Sequence, residues 1–201
     1  MNELILLSGG VESTGVLYHR LVDTPNNLYV LHVRRNTNVS GPALTIAARK
    51  IVIWLAKKVR MFEYFEFTPM ELAGKPCANS MVSSAAFAAG EIIVRNPEIQ
   101  VVVHGTNGDP LDQTEESIFM NKYRENLCAA VCNGFAPAPK WIYPHINMSK
   151  VDIWKKLPEE LRSLTWSCTA AKRVGENFVQ CGECPKCLEI KRMKEIFNAR
   201  A

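Results

Sequence analysis

Short runs rich in Leu, Ile and Val at residues 3–7, 28–33, 62–67 and 99–104, with a weaker one at 141–143, alternate with stretches at 13–22, 43–58, 79–95 and 115–131 that carry apolar residues three and four apart. The order is therefore strand, helix, strand, helix. Strands apolar on both faces in that order predict a parallel sheet covered by helices on each side, a doubly wound α/β fold. In such sheets ligands bind beyond the carboxyl ends of the strands, so the residues that follow each run are where chemistry is expected. Punctuation agrees: Asp23-Thr24-Pro25-Asn26-Asn27 ends the first helix, Gly41-Pro42 precedes the second, and Asn96-Pro97 closes the third. Past Pro144 the pattern changes to a helix at 150–157, a stop at Pro158 and a cysteine-rich tail. The reading is an α/β domain over 1–147 and a helical tail over 148–201, which needs a staple because it has no core of its own.

The turn out of the first strand reads Leu7-Ser8-Gly9-Gly10-Val11-Glu12-Ser13-Thr14 and leads into the first helix. Backbone amides and the positive helix end favour an anion there. Two adjacent glycines let the chain approach an oxyanion without a Cβ in the way, while Ser8, Ser13 and Thr14 each offer a hydroxyl. The competing reading is a tight turn with Ser13 as a helix cap. The Walker lysine is absent and the dinucleotide-binding glycine spacing is not met. A loop of hydroxyls and amides without that lysine suits retention of pyrophosphate while the α-phosphorus is attacked.

Seven cysteines form an odd set, and four crowd near the C-terminus as Cys168, Cys181, Cys184 and Cys187. Their spacing of twelve, two and two intervening residues can place four thiolates around one Zn²⁺. An iron–sulfur cluster or a redox pair uses the same soft ligands and is the competing reading. Four protein ligands close the site, so the zinc is expected to be structural. Cys77, Cys128 and Cys132 lie in apolar or helical surroundings and read as buried packing residues. The four histidines, His19, His32, His104 and His145, lack ligand spacing, and only His104 stands at a strand end near the expected pocket.

The segment Ser8-Gly9-Gly10-Val11-Glu12-Ser13-Thr14 resembles the pyrophosphate loop of the PP-loop ATP pyrophosphatases, although Glu12 stands where that superfamily usually has aspartate. Tyr143-Pro144-His145 followed by Lys150, then Thr165-Trp166-Ser167-Cys168 and Cys181-Gly182-Glu183-Cys184-Pro185-Lys186-Cys187, resemble the 7-cyano-7-deazaguanine synthase family. The resemblance implies an ATP-dependent C–N ligase that adenylates 7-carboxy-7-deazaguanine and, with ammonia, forms the amide and then the nitrile, in queuosine-precursor biosynthesis. It implies Ser8, Gly9, Gly10, Glu12, Ser13 and Thr14 for the ATP phosphates, within an ATP-binding segment that also takes in Leu7, Val11 and Gly15. It further implies Lys150 for a phosphate contact, Mg²⁺ on the phosphates, and the four tail cysteines for zinc. A surface lysine opening a helix is the plainer reading of Lys150, and a buried aromatic anchoring the tail is the plainer reading of Trp166.

The resemblance thins after His104-Gly105-Thr106-Asn107-Gly108-Asp109. The pocket-shaping word expected next is replaced by Leu111-Asp112-Gln113-Thr114-Glu115. Asp109 and Asp112 are the acids expected to act there, on Mg²⁺ or on a purine-like amino group, with helix-capping acids as the alternative. Two other functions stay open: a PP-loop enzyme that adenylates a tRNA base, and a non-catalytic zinc-stapled nucleotide-binding homologue.

A net charge of +4 is mild and argues against binding along a nucleic acid backbone, leaving a small deazapurine acid and ammonia as expected partners, with room for a homodimer. The longest uninterrupted apolar run is 51–56, too short for a membrane span, and the N-terminus has neither the basic start nor the length of a signal peptide. A cytoplasmic protein is expected.

Overall fold

The strand β1 (Asn2–Leu6) is buried from Glu3 onward and can only be an interior strand. In the computed structural model, which describes residues 1–34, 40–69, 80–109 and 113–198, it is the centre of a five-stranded sheet. β2 (Asn27–Val33), β3 (Glu63–Phe67), β4 (Ile99–Val103) and β5 (Lys140–Ile142) join it, all parallel, in the order β3-β2-β1-β4-β5.

Side chains alternate across a strand, so β1 feeds two apolar layers. Ile5 packs with Val30, Val101 and Val103 against α1 (Val11–Asp23) and α2 (Ser40–Lys58). Leu4 and Leu6 pack on the other face with Leu31, Ala86, Ala89 and Ile93, against α3 (Ser80–Arg95) and α4 (Glu115–Cys132). Cys128 and Cys132 lie buried in that second layer, as expected; Cys77 lies outside the described residues. The small face of α3 lets α4 come close: a Cβ on Gly90 would lie 2.6 Å from Val131.

One charge interrupts this apolar strand. Glu3 is fully buried, and its carboxylate accepts from both Arg20 on α1 and Asn26. An unpaired carboxylate there would cost several kcal/mol, roughly, so the pair fixes the register of α1 on the sheet.

Past β5 the chain builds more than the expected single helix. α5 (Lys150–Lys156) is followed by α6 (Glu159–Leu164), a hairpin of β6 (Lys172–Val174) and β7 (Asn177–Val179), and α7 (Pro185–Asn198). Pro158 does stop α5, and it also starts α6 as its N-cap, a place that needs no proline N–H. Pro42 likewise sits inside the first turn of α2, which starts at Ser40 and not after Gly41-Pro42. Ile153, Trp154, Leu157, Leu161 and Met193 from this region bury into the α1/α2 layer.

Strand order reverses at β1: α1 leads to β2 on one side, whereas β4 lies on the other. The loops that leave β1 and β4 therefore diverge and open a crevice at the carboxyl end of the sheet. Gly105, just past β4, allows the two loops to touch, because a Cβ there would lie 2.8 Å from the Cα and N of Ser13.

Candidate functional site

The loop after β1 is shaped by its glycines. Gly9 takes φ +88°, and a Cβ on it would meet the Leu44 carbonyl at 3.0 Å. Gly10 is the N-cap of α1 and makes no side-chain capping bond, so Ser13 lies inside the helix and the capping-turn reading of Ser13 does not hold. Instead the Ser8 N–H donates to Ser13 Oγ at 3.0 Å, the two hydroxyls share a 2.9 Å hydrogen bond, and the Gly10 N–H donates to Ser8 Oγ at 3.2 Å. Thr14 is fully buried, and its hydroxyl is without a hydrogen-bond partner among the described residues. A helix start with no side-chain cap and an orphaned hydroxyl together make a cradle suited to an oxyanion.

Lys150 lies beside this cradle. It opens α5 and is 3 % exposed, so it is not the surface lysine of the plainer reading. Its Nζ is 2.6 Å from Glu12 Oε1 and 2.8 Å from Glu189 Oε1, and Lys186 approaches Glu189 at 3.0 Å. Burial alone would lower the lysine pKa, but Glu12 and Glu189 outweigh it and hold the ammonium charged. Burial likewise works against ionisation of Glu189, and Lys150 and Lys186 outweigh it, holding its carboxyl below the usual range. The Asp109 carboxylate accepts from the Lys150 backbone N–H at 3.0 Å, while its own N–H donates to Asn107 Oδ1 at 2.7 Å. Asp109 thus anchors the start of α5. Asp112 lies outside the described residues.

Two chambers of about 230 and 350 Å³ meet over the crevice and share Glu12, His104, Gly105 and Arg124. The first is also lined by Ser8, Ser13, His32 and Leu44, and the second by Thr106, Asn107, Ser117 and Asn121. Burial, with the nearby Arg124 charge, holds the His104 imidazole neutral, its pKa pushed down to about 3. His104 Nδ1 shares a 2.9 Å hydrogen bond with Thr106 Oγ1.

The four tail cysteines converge. Their sulfurs lie within 4.8 Å of one another, with separations of 3.6 Å (Cys168 to Cys181), 3.9 Å (Cys181 to Cys187) and 4.0 Å (Cys184 to Cys168). A tetrahedron built on Zn–S bonds of ~2.3 Å has edges of ~3.8 Å. The donor set therefore fits one zinc ion; a four-iron cluster, with each thiolate on a different iron, holds its sulfurs farther apart. Backbone N–H groups of Cys181 and Cys184 donate to the sulfurs of Cys168 and Cys181, and Gly182 at φ +80° makes the tight turn between ligands. Trp166 joins this module to the loop: its backbone N–H donates to the Gly9 carbonyl at 2.9 Å, and its ring N–H to the Cys168 carbonyl at 3.1 Å. It packs against the cysteine cluster as the expected anchor.

No family profile and no curated protein sequence matches this chain. Among solved structures, it is similar to the U34-tRNA thiolase NcsA from Methanococcus maripaludis, solved with its [4Fe-4S] cluster, at TM-score 0.57 and 14 % identity over 99 % of this chain. The chain spans 65 % of the length of that protein. A structure described as a predicted subunit of tRNA methyltransferase from Methanocaldococcus jannaschii aligns at TM-score 0.42 and 13 % identity, over 100 % of this chain and 88 % of that one, too loosely to carry an argument. The chain has the PP-loop fold, a doubly wound parallel sheet of the adenine-nucleotide alpha-hydrolase-like kind. To it is added a C-terminal four-cysteine metal-binding module consistent with zinc.

The expectation that nucleic acid is not a partner is overturned. The similar structure is that of an enzyme acting on tRNA, so this fold accommodates such substrates. The mild net charge also concealed an asymmetry: residues 148–201 carry eleven Lys and Arg against seven Asp and Glu, while residues 1–147 carry thirteen of each. The whole excess of positive charge lies on the tail. No helix among the described residues is long and apolar enough to cross a membrane.

Four residues have partners or positions that the sequence did not signal. Glu189 holds Lys150 from α7; Arg124 looks like one more surface cation in the polar stretch Lys122-Tyr123-Arg124-Glu125; and His19 and His145 meet at 2.8 Å, Nδ1 to Nε2, across 126 residues. Only the position of Glu189 two residues after Cys187 offered a hint.

Proposed function

We propose that this chain is an ATP-using PP-loop enzyme that transfers AMP to an oxygen of its substrate, and that the substrate oxygen belongs to a base carried in RNA. The observation that carries the first part is the loop itself: a helix start without a side-chain cap, an orphaned Thr14 hydroxyl and a buried, charged Lys150 at the switch point of the sheet. In this reading a substrate oxygen attacks the α-phosphorus from the chamber beyond β4. The bond to pyrophosphate breaks, and the leaving group stays on the loop amides and the Ser8 and Ser13 hydroxyls. Lys150, drawn from Glu12 toward the phosphates, offsets their charge. Glu12 would hold Mg²⁺ arriving with the nucleotide, which neutralises the triphosphate. The adenylated oxygen is then displaced by an amine or sulfur nucleophile, releasing AMP. Support for an RNA substrate comes from the basic tail, which joins the loop through Trp166.

A second reading keeps the same activation chemistry and takes 7-carboxy-7-deazaguanine as the acid, with ammonia as nucleophile and the amide or nitrile as product. The Arg124 guanidinium on the chamber wall, which suits a carboxylate and is paired with none among the described residues, favours it. The test is incubation with ATP and either tRNA or 7-carboxy-7-deazaguanine plus ammonium, following AMP and pyrophosphate. Release that depends on tRNA supports the first reading, and release that depends on the acid supports the second. Release of ADP refutes adenylation. ATP binding without release from either mixture replaces the enzyme with a nucleotide-binding module.

A further inference from the structure

We propose that Arg124 binds an oxyanion of the substrate in the chamber beyond β4 and so determines which substrates the site accepts. Arg124 projects from α4 and lines both chambers at their junction with the loop. Its guanidinium donates to Asn121 Oδ1 at 2.5 Å, and no carboxylate among the described residues pairs with it. The described acids on the chamber walls do not serve: Glu12 is engaged by Lys150, and Glu116 is exposed at the rim with no ion pair among the described residues. His104, the other titratable group facing Arg124, offers no negative charge, and the hydroxyl of Tyr143 behind it donates to Glu125.

A guanidinium is always charged, and Arg124, half-buried on the chamber wall, loses part of its hydration with no counter-ion among the described residues, a cost that a ligand anion would offset. Its fork accepts a carboxylate or phosphate through two parallel N–H···O bonds. A chamber of about 350 Å³ with Thr106, Asn107 and Ser117 on its walls is large enough for a purine-sized heterocycle carrying that anion. The anion has two sources, the carboxylate of a small acid or the phosphate of a nucleotide. The proposal deepens the adenylation reading by naming the group that the substrate presents, while anion binding at Arg124 does not require ATP.

The test is side-chain NMR of the protein with ¹⁵N-labelled arginine, the Arg124 Nε–H resonance being identified by its loss in Arg124→Gln. Without ATP, the protein is titrated with 7-carboxy-7-deazaguanine, with guanosine 5′-monophosphate, and with the neutral 7-amido-7-deazaguanine. The Arg124 resonance is expected to shift saturably with one anion and not with the amide. Arg124→Gln should weaken that anion's binding about 10–100-fold, and Arg124→Lys, which keeps the charge and loses the fork, should fall between. Response to the deazaguanine acid assigns the small-acid source, and response to the monophosphate assigns the nucleotide source. An unmoved resonance with both anions, or an affinity unchanged in Arg124→Gln, overturns the proposal. Failure of ATP to bind the wild-type protein would end the adenylation reading alone.

Discussion

Acidification should weaken the fold by protonating imidazoles that burial holds neutral, His145 in particular. His145 is 3 % exposed; its Nε2 meets His19 Nδ1 at 2.8 Å, and its own Nδ1 is buried without a partner among the described residues. Burial first, then the neighbouring His19 and Lys156, push the His145 pKa down to about 4. The unfolded chain titrates this imidazole near 6.5, so between those values the unfolded state binds the extra proton and stability rises with pH. The contribution is complete above the unfolded value and is lost as the pH falls below it. From these two values the loss between pH 7 and pH 5 is about 2 kcal/mol, reaching about 3 kcal/mol at pH 4. Gly15 of α1 lies against the ring: a Cβ on it would lie 3.3 Å from His145 Cε1. Urea unfolding at pH 7 and pH 5, with bound metal quantified at each, measures the loss. In His145→Asn the loss should shrink by about 2 kcal/mol relative to wild type. An identical pH slope in the two proteins would refute the reasoning, because the pH dependence would then come from other groups.

Gly105→Ala places a methyl 2.8 Å from the Ser13 backbone and should cost about 1–3 kcal/mol while weakening ATP binding; chemical denaturation and calorimetric titration on one sample check both. Lys150→Met leaves Glu12 and Glu189 without their shared cation and should weaken ATP binding about tenfold or more, with partial recovery in Lys150→Arg. An affinity equal to wild type would remove Lys150 from the phosphate site. Cys184→Ser should lose about one equivalent of zinc and lower the melting temperature, because structural zinc binding is coupled to folding. Full retention of metal, measured by elemental analysis, would exclude the four-thiolate site.

The sheet, its helices, the glycine turn after β1 and the convergence of the tail cysteines were legible because their signals are local. Apolar period, the Ser8-Gly9-Gly10 turn and the two-residue gaps among Cys181, Cys184 and Cys187 act between near neighbours in the chain. The tail hairpin and α7 were not, since the exposed β6 and the polar α7 lack a clear apolar period and take shape beside the cysteine cluster. Which charges meet was decided only in three dimensions. Lys150 reaches Glu12 across 138 residues, and His145 meets His19 because α1 packs near the turn after β5. Arg124 faces a chamber because α4 lies over the end of β4. Local sequence fixes a residue's conformational preferences, but the dielectric and the partner that set its charge come from strand order and helix packing, which bring distant segments to one crevice.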